Sequence, residues 1–343
     1  MIEERLAYIS NEFDKWPSRV YVGFSGGKDS SAVVKLLYTA AKKAPQKAPE
    51  VEVVYCDTGV ENPVIDSHVK KVLRQLEQEA RSGGVKFKSR IIEPELDQGF
   101  FVRLIGRGYP PPTNSFRWCT KDVRIRPFRR FLREQNEAAL IAIGTRMGES
   151  RQRDRSLRKS GTSGLYQRQR DGFAGAVLFT PVLDFDLFDV WEALVSLTEP
   201  RCISAERLSQ LYKDGSGECP AIRDFKDKPC SRARFGCWTC TVVRRDRSAE
   251  GMIKQGYDEL VPYLRFRQWL LDIRNNPQYR CRHRRNGQVG LGPFNLRARK
   301  MILGELEELE GYTRRPILRS EQRRRILELW ELDLADERYL ASE

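Results

Sequence analysis

Residues 20–30 read Val-Tyr-Val-Gly-Phe-Ser-Gly-Gly-Lys-Asp-Ser, and this stretch decides the fold of the chain. An apolar run ends in a glycine turn, and the residues after the turn follow a helical pattern, which predicts a strand, a tight turn and a helix. The N–H groups of such a turn and of a helix N-terminus bind anions, and Lys28 adds a positive charge. Asp29 occupies the position where the Walker A pattern needs Ser or Thr, so the loop is of another type.

The composition is that of a soluble globular protein, with 40% hydrophobic and 31% charged residues in a chain of 343. No stretch approaches the roughly 20 apolar residues of a membrane span, and the N-terminus has no signal-peptide core. We therefore expect a cytoplasmic protein with no membrane partner. The net charge of +14, from 61 Lys and Arg against 47 Asp and Glu, favours a polyanionic partner such as nucleic acid.

Strand patterns alternate with helical patterns along the first half of the chain. The predicted strands are 20–24, 51–56, 87–92, 139–143 and 177–180, and the predicted helices are 30–43, 62–81, 122–135 and a later one within 181–196 that Asp186 caps. This order predicts an α/β fold with a doubly wound, mainly parallel sheet. Ligands of such sheets lie beyond the carboxyl ends of the strands, where Ser25–Ser30, Asp57 and Gly144 all fall. We expect these segments to converge on one nucleotide.

Residues 146–172 read as a basic loop rich in glycine and serine. Its cations suit the phosphates of a nucleic-acid backbone, and the interleaved Tyr166 and Phe173 could stack on an extruded base. A second basic loop covers 280–300. The residues predicted to contact nucleic acid in the first loop are Arg151, Arg153, Arg155, Arg168 and Arg170.

Eight cysteines in a chain expected to be cytoplasmic indicate metal or cluster ligation rather than a disulfide framework. Cys237 and Cys240 form a Cys-x2-Cys pair, and Cys230 could supply a third ligand. A fourth would come from Cys219 or from the remote Cys119. Four thiolates suit Zn²⁺ or a 4Fe-4S cluster, and the lack of a second close pair favours iron–sulfur. The alternative is a set of buried thiols that pack as small apolar residues.

The chain resembles the pyrophosphate-loop (PP-loop) ATP pyrophosphatases, and within them the phosphoadenosine phosphosulfate (PAPS) reductase-like proteins. The match is closer to the DNA phosphorothioation sulfurtransferases of the DndC and SspD type. The loop Ser-Gly-Gly-Lys-Asp-Ser is specific only to the superfamily, whereas Arg-Phe-Gly-Cys-Trp-Thr-Cys is specific to the branch. The segments that carry the resemblance are 25–30, 116–121, 144–151, 234–243 and 290–294.

This resemblance implies an adenine nucleotide α-hydrolase-like fold and a 4Fe-4S cluster with Cys119 among its ligands, beside Cys230, Cys237 and Cys240. It implies that ATP, with Mg²⁺, adenylates a phosphate oxygen of DNA and releases pyrophosphate, and that sulfur from a partner cysteine desulfurase then displaces AMP. Other phosphorothioation subunits are implied as partners. The expected regions are a PP-loop domain at 1–198, a Cys-rich iron–sulfur segment at 199–245 and a helical, basic C-terminal region at 246–343.

Roles for single residues follow from the same chemistry, which is positioning and charge neutralisation around phosphates. The ATP phosphates are assigned to Lys28 and to the backbone of Ser25, Gly26, Gly27 and Ser30.

The acidic and basic residues around this loop have further expected roles. Asp29 would order the loop or help to hold Mg²⁺. Asp57 would bind adenine, ribose or a metal, or would cap the next helix. Arg146 would meet the triphosphate or the DNA phosphate, since Gly-x-Arg-x-x-Glu-Ser recurs among reductase-like relatives.

Three other functions compete with this interpretation. PAPS reductases use a nucleophilic cysteine near the C-terminus, and no cysteine follows Cys281 here. A tRNA thiolase would share the loop, a cluster and a basic surface, but its usual second Cys-x2-Cys pair is missing. A nucleotide-gated DNA-binding subunit without turnover is the non-enzymatic alternative. Release of pyrophosphate from ATP separates it from the enzymes.

Overall fold

The computed structural model describes residues 1–135, 139–148, 162–168, 176–216 and 235–336. The chain forms two compact units that alternate along the sequence. The first unit comprises Met1–Cys56, Val64–Ile92 and Phe128–Phe235, and the second comprises Asp57–Pro63, Glu93–Pro127 and Gly236–Glu343. The expected division at 198 and 245 stays a prediction.

The first unit contains a sheet of seven strands among its described residues. The strands are β1 (Arg19–Gly23), β2 (Glu50–Cys56), β3 (Phe87–Ile92), β4 (Leu140–Ala142), β5 (Thr162–Ser163), β6 (Tyr166–Arg168) and β7 (Val177–Phe179), in the spatial order β3-β2-β1-β4-β7-β6-β5. Neighbouring strands from β3 to β7 pair in parallel, and β6 and β5 add an antiparallel edge. The predicted α/β fold with a mainly parallel sheet is confirmed.

The antiparallel edge lies inside the segment that the sequence predicted to be a basic loop. Gly164, with φ +59°, forms the turn between β5 and β6 because this backbone conformation favours glycine. The Tyr166 hydroxyl accepts a hydrogen bond from Trp16 Nε1 (2.8 Å) and donates one to Glu12 (2.9 Å). These bonds fix the position of the Tyr166 hydroxyl, and the stacking of its ring on an extruded base stays a prediction.

Helices flank this sheet, because their apolar sides cover strands that are buried along most of their length. Those mainly in the first unit are α1 (Ile2–Glu12), α2 (Lys28–Lys43), α3 (Pro63–Ser82), α4 (Arg126–Glu134), α5 (Leu187–Ser196) and α6 (Ala205–Ser216). Helix α2 packs against α1 and α5 and buries Val33, Leu36 and Leu37 completely. Helix α5 begins as predicted: Asp186 accepts from Asp189 N–H (2.9 Å) and forms a capping box.

The second unit is mainly helical, as predicted for the C-terminal region. Its helices are α7 (Arg247–Lys254), α8 (Val261–Ile273), α9 (Leu296–Thr313) and α10 (Ser320–Leu334), with π-helical turns at Val102–Gly106 and Thr120–Ile125. An aromatic and aliphatic core that includes Phe101, Leu270 and Phe294 joins them. Buried Arg299 donates to Gly106 O (2.6 Å) and to Asp333 (2.7 Å), which satisfies a buried charge.

Within the parts of the chain that the structure describes, every helix is too short or too polar to cross a membrane.

Candidate nucleotide and cysteine sites

The loop after β1 is closed by its two serines. Ser30 Oγ donates to Gly27 O (3.0 Å), and Ser25 N–H donates to Ser30 Oγ (3.3 Å). The two hydroxyls also lie 3.2 Å apart. The serines of the pattern thus fix the loop, and the backbone N–H groups at the N-terminus of α2 are the groups suited to bind an anion.

Two glycines of the predicted site allow segments to approach more closely than any side chain would permit. Gly26 has φ +72°, and a Cβ there would lie 2.3 Å from Val69 Cγ2. A Cβ on Gly144, just after β4, would lie 2.7 Å from both Asp29 C and Ser30 N. The chain after β4 therefore rests directly on the backbone of the loop, and it does so because residue 144 is a glycine.

The charged groups of the loop form one small network. The Asp29 carboxylate accepts from Lys28 Nζ (2.8 Å) through one oxygen and from Arg146 Nε (2.5 Å) through the other. Arg146, 8% exposed, also donates to Phe185 O (3.4 Å). Asp29 thus orders two cations at the start of α2, where a negative charge is favourable. Phosphate oxygens bound at this loop would find Lys28 and Arg146 already in place.

An aromatic residue that the sequence did not predict lies on the same loop. The Tyr212 hydroxyl, on α6, accepts from Lys28 N–H at 3.3 Å, and Lys28 Nζ lies 5.3 Å from its ring centroid. Trp191 and Phe235 pack edge-on against that ring, at 5.9 and 5.1 Å. Tyr212 was not predictable because it is far from the loop in sequence and belongs to no motif.

His68 lies beside the loop as well. A Cβ on Gly26 would lie 3.9 Å from His68 Cδ2. Burial, with Arg207 and Lys71 nearby, lowers the pKa of His68 to about 4. The imidazole is therefore neutral at neutral pH and adds a neutral polar group, not a charge, to the wall of the loop.

Asp57, predicted to contact ATP, follows β2 and is the first residue of the second unit. Its Oδ1 accepts from Gly59 N–H at 2.9 Å and so forms a turn. Thr58 N–H donates to Glu61 Oε2 (3.2 Å), which fixes the next part of the same turn. The contact of Asp57 with ATP stays a prediction.

Three of the predicted cluster ligands, Cys119, Cys237 and Cys240, belong to the second unit. Cys240 N–H donates to Cys237 O (3.0 Å), so the Cys-x2-Cys segment makes a tight turn. Trp238, between them, is 6% exposed and packs edge-on against Tyr263 at 5.0 Å, which anchors the turn in the core. The glycine loop at 25–30 thus belongs to the first unit, and the described cysteines of the predicted cluster belong to the second.

The three thiols are close enough to affect one another. Burial raises the pKa of Cys119, and the charge of Cys240 raises it further. Burial also raises the pKa of Cys237 to about 12. The negative charge of Glu61 adds to this rise, and the positive charge of Arg124 opposes it. Arg124 Nη2 lies 3.4 Å from Cys237 Sγ. A Cys237 thiolate would therefore need a strongly bound cation, or a cluster, to replace its proton.

The polar groups around these thiols suit sulfur ligands. Thr239 Oγ1, in the Cys-x2-Cys turn, is buried without a hydrogen-bond partner in the described chain and could donate to a cluster sulfur. No group of three or more His, Cys, Asp or Glu side chains in the described residues is placed to hold a metal ion. Cys230 and Cys219 lie outside those residues, so the choice of the fourth ligand stays a prediction.

Buried arginines hold the chain that follows the thiols. Arg267, 1% exposed, donates to Cys240 O at 2.8 Å and to Val243 O. Arg274 donates to Thr241 O at 3.0 Å. Neither residue was predictable, because in the sequence both read as ordinary surface charges of a helix.

An ion pair lies against Cys237. Glu61 Oε1 accepts from Arg124 Nη2 (2.9 Å), and Glu61 also accepts from the Thr58 hydroxyl. Burial raises the pKa of Glu61, against the effect of Arg124. Glu61 and Cys237 are joined by a backbone bridge. The cysteine turn is thus attached to the segment that follows β2, which no sequence signal indicated.

Most of the predicted nucleic-acid residues fall outside the described part of the chain. They are Arg151, Arg153, Arg155 and Arg170, and Phe173 and the ligand Cys230 lie there too. Arg168 ends β6, where only its backbone is described. Their roles stay predictions.

The mainly parallel sheet, with a glycine loop between β1 and α2, is a PP-loop ATPase-like fold. The sequence model of the phosphoadenosine phosphosulfate reductase domain matches residues 19–243, which is more than half of the chain. The chain therefore belongs to that family of nucleotide-using enzymes.

Two uncharacterized proteins of Methanocaldococcus jannaschii are similar in sequence. One is 29% identical over 263 residues, which are 73% of this chain and 48% of that protein. The other is 27% identical over 192 residues, which are 55% and 39% respectively. The chain thus spans about half, or less, of these curated relatives.

Several solved structures align with this chain at low similarity. A phosphoadenylyl-sulfate reductase of Candida auris aligns with 66% of this chain and 89% of its own, at 15% identity and a TM-score of 0.38. The U34-tRNA thiolase of Methanococcus maripaludis, with its 4Fe-4S cluster, aligns with 85% of each chain at 14% identity and a TM-score of 0.35. An NH3-dependent NAD synthetase of Campylobacter jejuni aligns with 79% and 91%, at 13% identity and a TM-score of 0.37. Likeness this remote says nothing about the reaction of the present chain.

Proposed function

We propose that the chain is an ATP-dependent sulfurtransferase that adenylates a phosphate oxygen of DNA and releases pyrophosphate. Sulfur then displaces AMP from the adenylated phosphate, and the product is a DNA phosphorothioate. The observation that carries the nucleotide step is the loop at 25–30, where Asp29 holds Lys28 and Arg146 at the N-terminus of α2. The Cys-x2-Cys turn of the second unit supports the sulfur step.

The loop suits pyrophosphate release because its cations are fixed before the substrate binds. Breaking the bond between the α- and β-phosphates places negative charge on the departing pyrophosphate. Lys28 and Arg146, with the N–H groups of α2, would stabilise that charge, and Mg²⁺ would neutralise the rest. Asp29 would then share these two cations with the phosphates or turn toward Mg²⁺.

A 4Fe-4S cluster would supply a centre able to carry sulfur or electrons. Cys119, Cys237 and Cys240, with Cys230, would hold it, and the three described thiols would have to move closer together to do so. Arg124 and the Thr239 hydroxyl, which has no partner among the described residues, would donate hydrogen bonds to its sulfurs, and such bonds stabilise a negatively charged sulfur centre. A cysteine desulfurase is the proposed sulfur donor, and other phosphorothioation subunits are the proposed partners.

DNA as acceptor is supported by charge. The net charge of +14 favours a polyanionic acceptor. The loop at 25–30 suits the transfer of an adenylyl group from ATP to a phosphate oxygen of that acceptor. tRNA thiolation is the runner-up, and it differs in the acceptor, which would be a base of RNA.

The test measures pyrophosphate release from Mg-ATP by anaerobically purified protein, with DNA or tRNA as acceptor, together with a sulfur donor. Lys28→Ala should lower the rate at least 100-fold, as expected when a charge at the leaving group is removed. Lys42→Ala is the matched control, because Lys42 lies at the other end of α2 and pairs with Glu199. Phosphorothioate in digested DNA identifies the product. Release that depends on tRNA alone would favour the thiolase, and no release with any acceptor would favour the DNA-binding subunit.

A further inference from the structure

Residues 280–294 form a hairpin, here called the Arg280–Phe294 hairpin. Backbone bridges join Arg280 to Phe294 and His283 to Val289. Arg284 N–H donates to Gln288 O (2.8 Å), which closes the tip. The hairpin therefore has a defined shape out to its end.

The base of this hairpin is fixed in the core of the second unit. Arg280, 7% exposed, donates to Gly292 O (2.6 Å) and to Arg274 O (2.6 Å), and its guanidinium lies 5.3 Å from the ring centroid of Phe294. Phe294 is fully buried, and its N–H donates to Gly108 O at 2.6 Å. The hairpin is thus attached to the loop that follows residue 106.

The tip of the hairpin carries positive charge. Arg282, Arg284 and Arg285 are exposed, and none of them forms an ion pair with a carboxylate in the described residues. By contrast, Arg325 on α10 pairs with both Asp97 and Glu328. A group of cations on a hairpin of defined shape, without carboxylate partners among the described residues, is suited to bind a polyanion.

An aromatic surface adjoins these cations. The Arg285 guanidinium lies 5.5 Å from the ring centroid of Tyr109, and that ring lies parallel to Phe116, with centroids 6.3 Å apart. Phe116 is 45% exposed. Its loop is held by a hydrogen bond from Phe116 N–H to Thr113 Oγ1 (3.1 Å), so the ring is presented and not buried.

We propose that the Arg280–Phe294 hairpin and Phe116 form a surface that binds a nucleic-acid strand with an unpaired base. The arginines would contact successive phosphates, and the base would stack on Phe116, because aromatic rings bind the face of any base. A fully paired duplex would offer the phosphates but no free base. The surface deepens the proposed function and rests on it for the assignment of DNA as acceptor.

The position of this surface connects it with the cysteines of the same unit. The loop that presents Phe116 continues directly into Trp118 and Cys119. The Thr241 hydroxyl donates to Pro112 O (2.8 Å), which attaches the loop to the chain just after Cys240. A strand bound on Phe116 would therefore pass beside the cysteine segment.

The first experiment measures fluorescence anisotropy of labelled single-stranded DNA with the full chain, without ATP, over a series of salt concentrations. The double variant Arg284→Glu/Arg285→Glu should bind at least tenfold more weakly, and its salt slope should fall by about 1.4, from two lost phosphate contacts on a single strand. Arg314→Glu/Arg315→Glu is the matched control, because it reverses two adjacent exposed arginines elsewhere in the second unit. Equal losses in the two double variants would overturn the proposal.

The second experiment tests the base. Phe116→Ala should weaken binding of single-stranded DNA about tenfold with an unchanged salt slope, because stacking carries no charge, whereas Phe116→Trp should preserve it. Tighter binding of paired duplex than of the single strand, or an unaffected Phe116→Ala variant, would overturn the proposal. Preference for single-stranded RNA would support the surface and contradict the DNA acceptor. Failure of pyrophosphate release would affect only the proposed function, since binding is measured without ATP.

Discussion

The close approach of two backbone segments at Gly144, in the nucleotide site, gives the sharpest prediction. An added methyl group at this position would lie 2.7 Å from two backbone atoms of the loop, Asp29 C and Ser30 N. Ordinary contacts between such atoms need about 3.5 Å, so Gly144→Ala must separate the two segments by about 1 Å. Backbone atoms cannot move aside as a side chain does. The loop itself would have to shift.

A displacement of about 1 Å in a site that positions phosphates can lower activity about 100-fold. Overpacking of this kind costs about 1–3 kcal/mol of stability, which is less than the stability of an ordinary domain. We therefore expect Gly144→Ala to remain folded but to lose ATP binding and pyrophosphate release. Isothermal titration with an ATP analogue and a pyrophosphate assay measure the two effects. Circular dichroism and a thermal melt check the fold.

Gly23→Ala is the matched control. Gly23 ends β1, two residues before the loop, and its nearest neighbour to an added methyl group would be Ile143 Cγ2 at 3.4 Å, an ordinary contact. This variant should bind ATP like the wild type. If Gly144→Ala also bound ATP normally, the close approach would not be what shapes the loop, and the reasoning would be refuted.

Three further predictions concern the two candidate sites. Tyr212→Phe should tighten binding of ATP about two- to tenfold in calorimetry, because its hydroxyl competes for the Lys28 N–H; weaker binding would mean that the hydroxyl holds the phosphate instead. Cys237→Ser should remove the brown colour and the iron of anaerobically purified protein while ATP binding persists, and a colourless wild type with stoichiometric zinc would contradict the iron–sulfur cluster. The pKa of His68 is lowered from 6.5 to about 4 in the folded protein. As the pH falls, the unfolded chain therefore binds a proton at His68 before the folded protein does. The stability this group contributes is present above about pH 6.5 and is lost toward pH 4, by at most about 3 kcal/mol, and His68→Gln should remove that part of the pH dependence in denaturant titrations.

The sequence predicted the elements that local patterns control. The predicted strand 87–92 is β3, and the predicted strand 51–56 matches β2 within one residue at its start. The predicted helix 122–135 is partly wrong, since a π-helical turn at Thr120–Ile125 precedes α4. The short strands β5 and β6 were missed because the pairing of β6 with β7 and of β5 with β6, rather than their own sequence, makes them strands.

The sequence alone predicted three local features, because each depends on the conformation of a few adjacent residues. They are the glycine turn at 26 and 27, the Asp186 cap and the Cys-x2-Cys turn. The tertiary structure decided what surrounds them. In the folded chain the Tyr212 hydroxyl accepts from Lys28 N–H, and Gly144 lies against the backbone of Asp29. Arg267 and Arg280 are buried and donate to backbone carbonyls. These arrangements depend on contacts between residues more than ten positions apart, and in several cases more than a hundred. Such contacts arise only when the chain packs, so no local pattern encodes them.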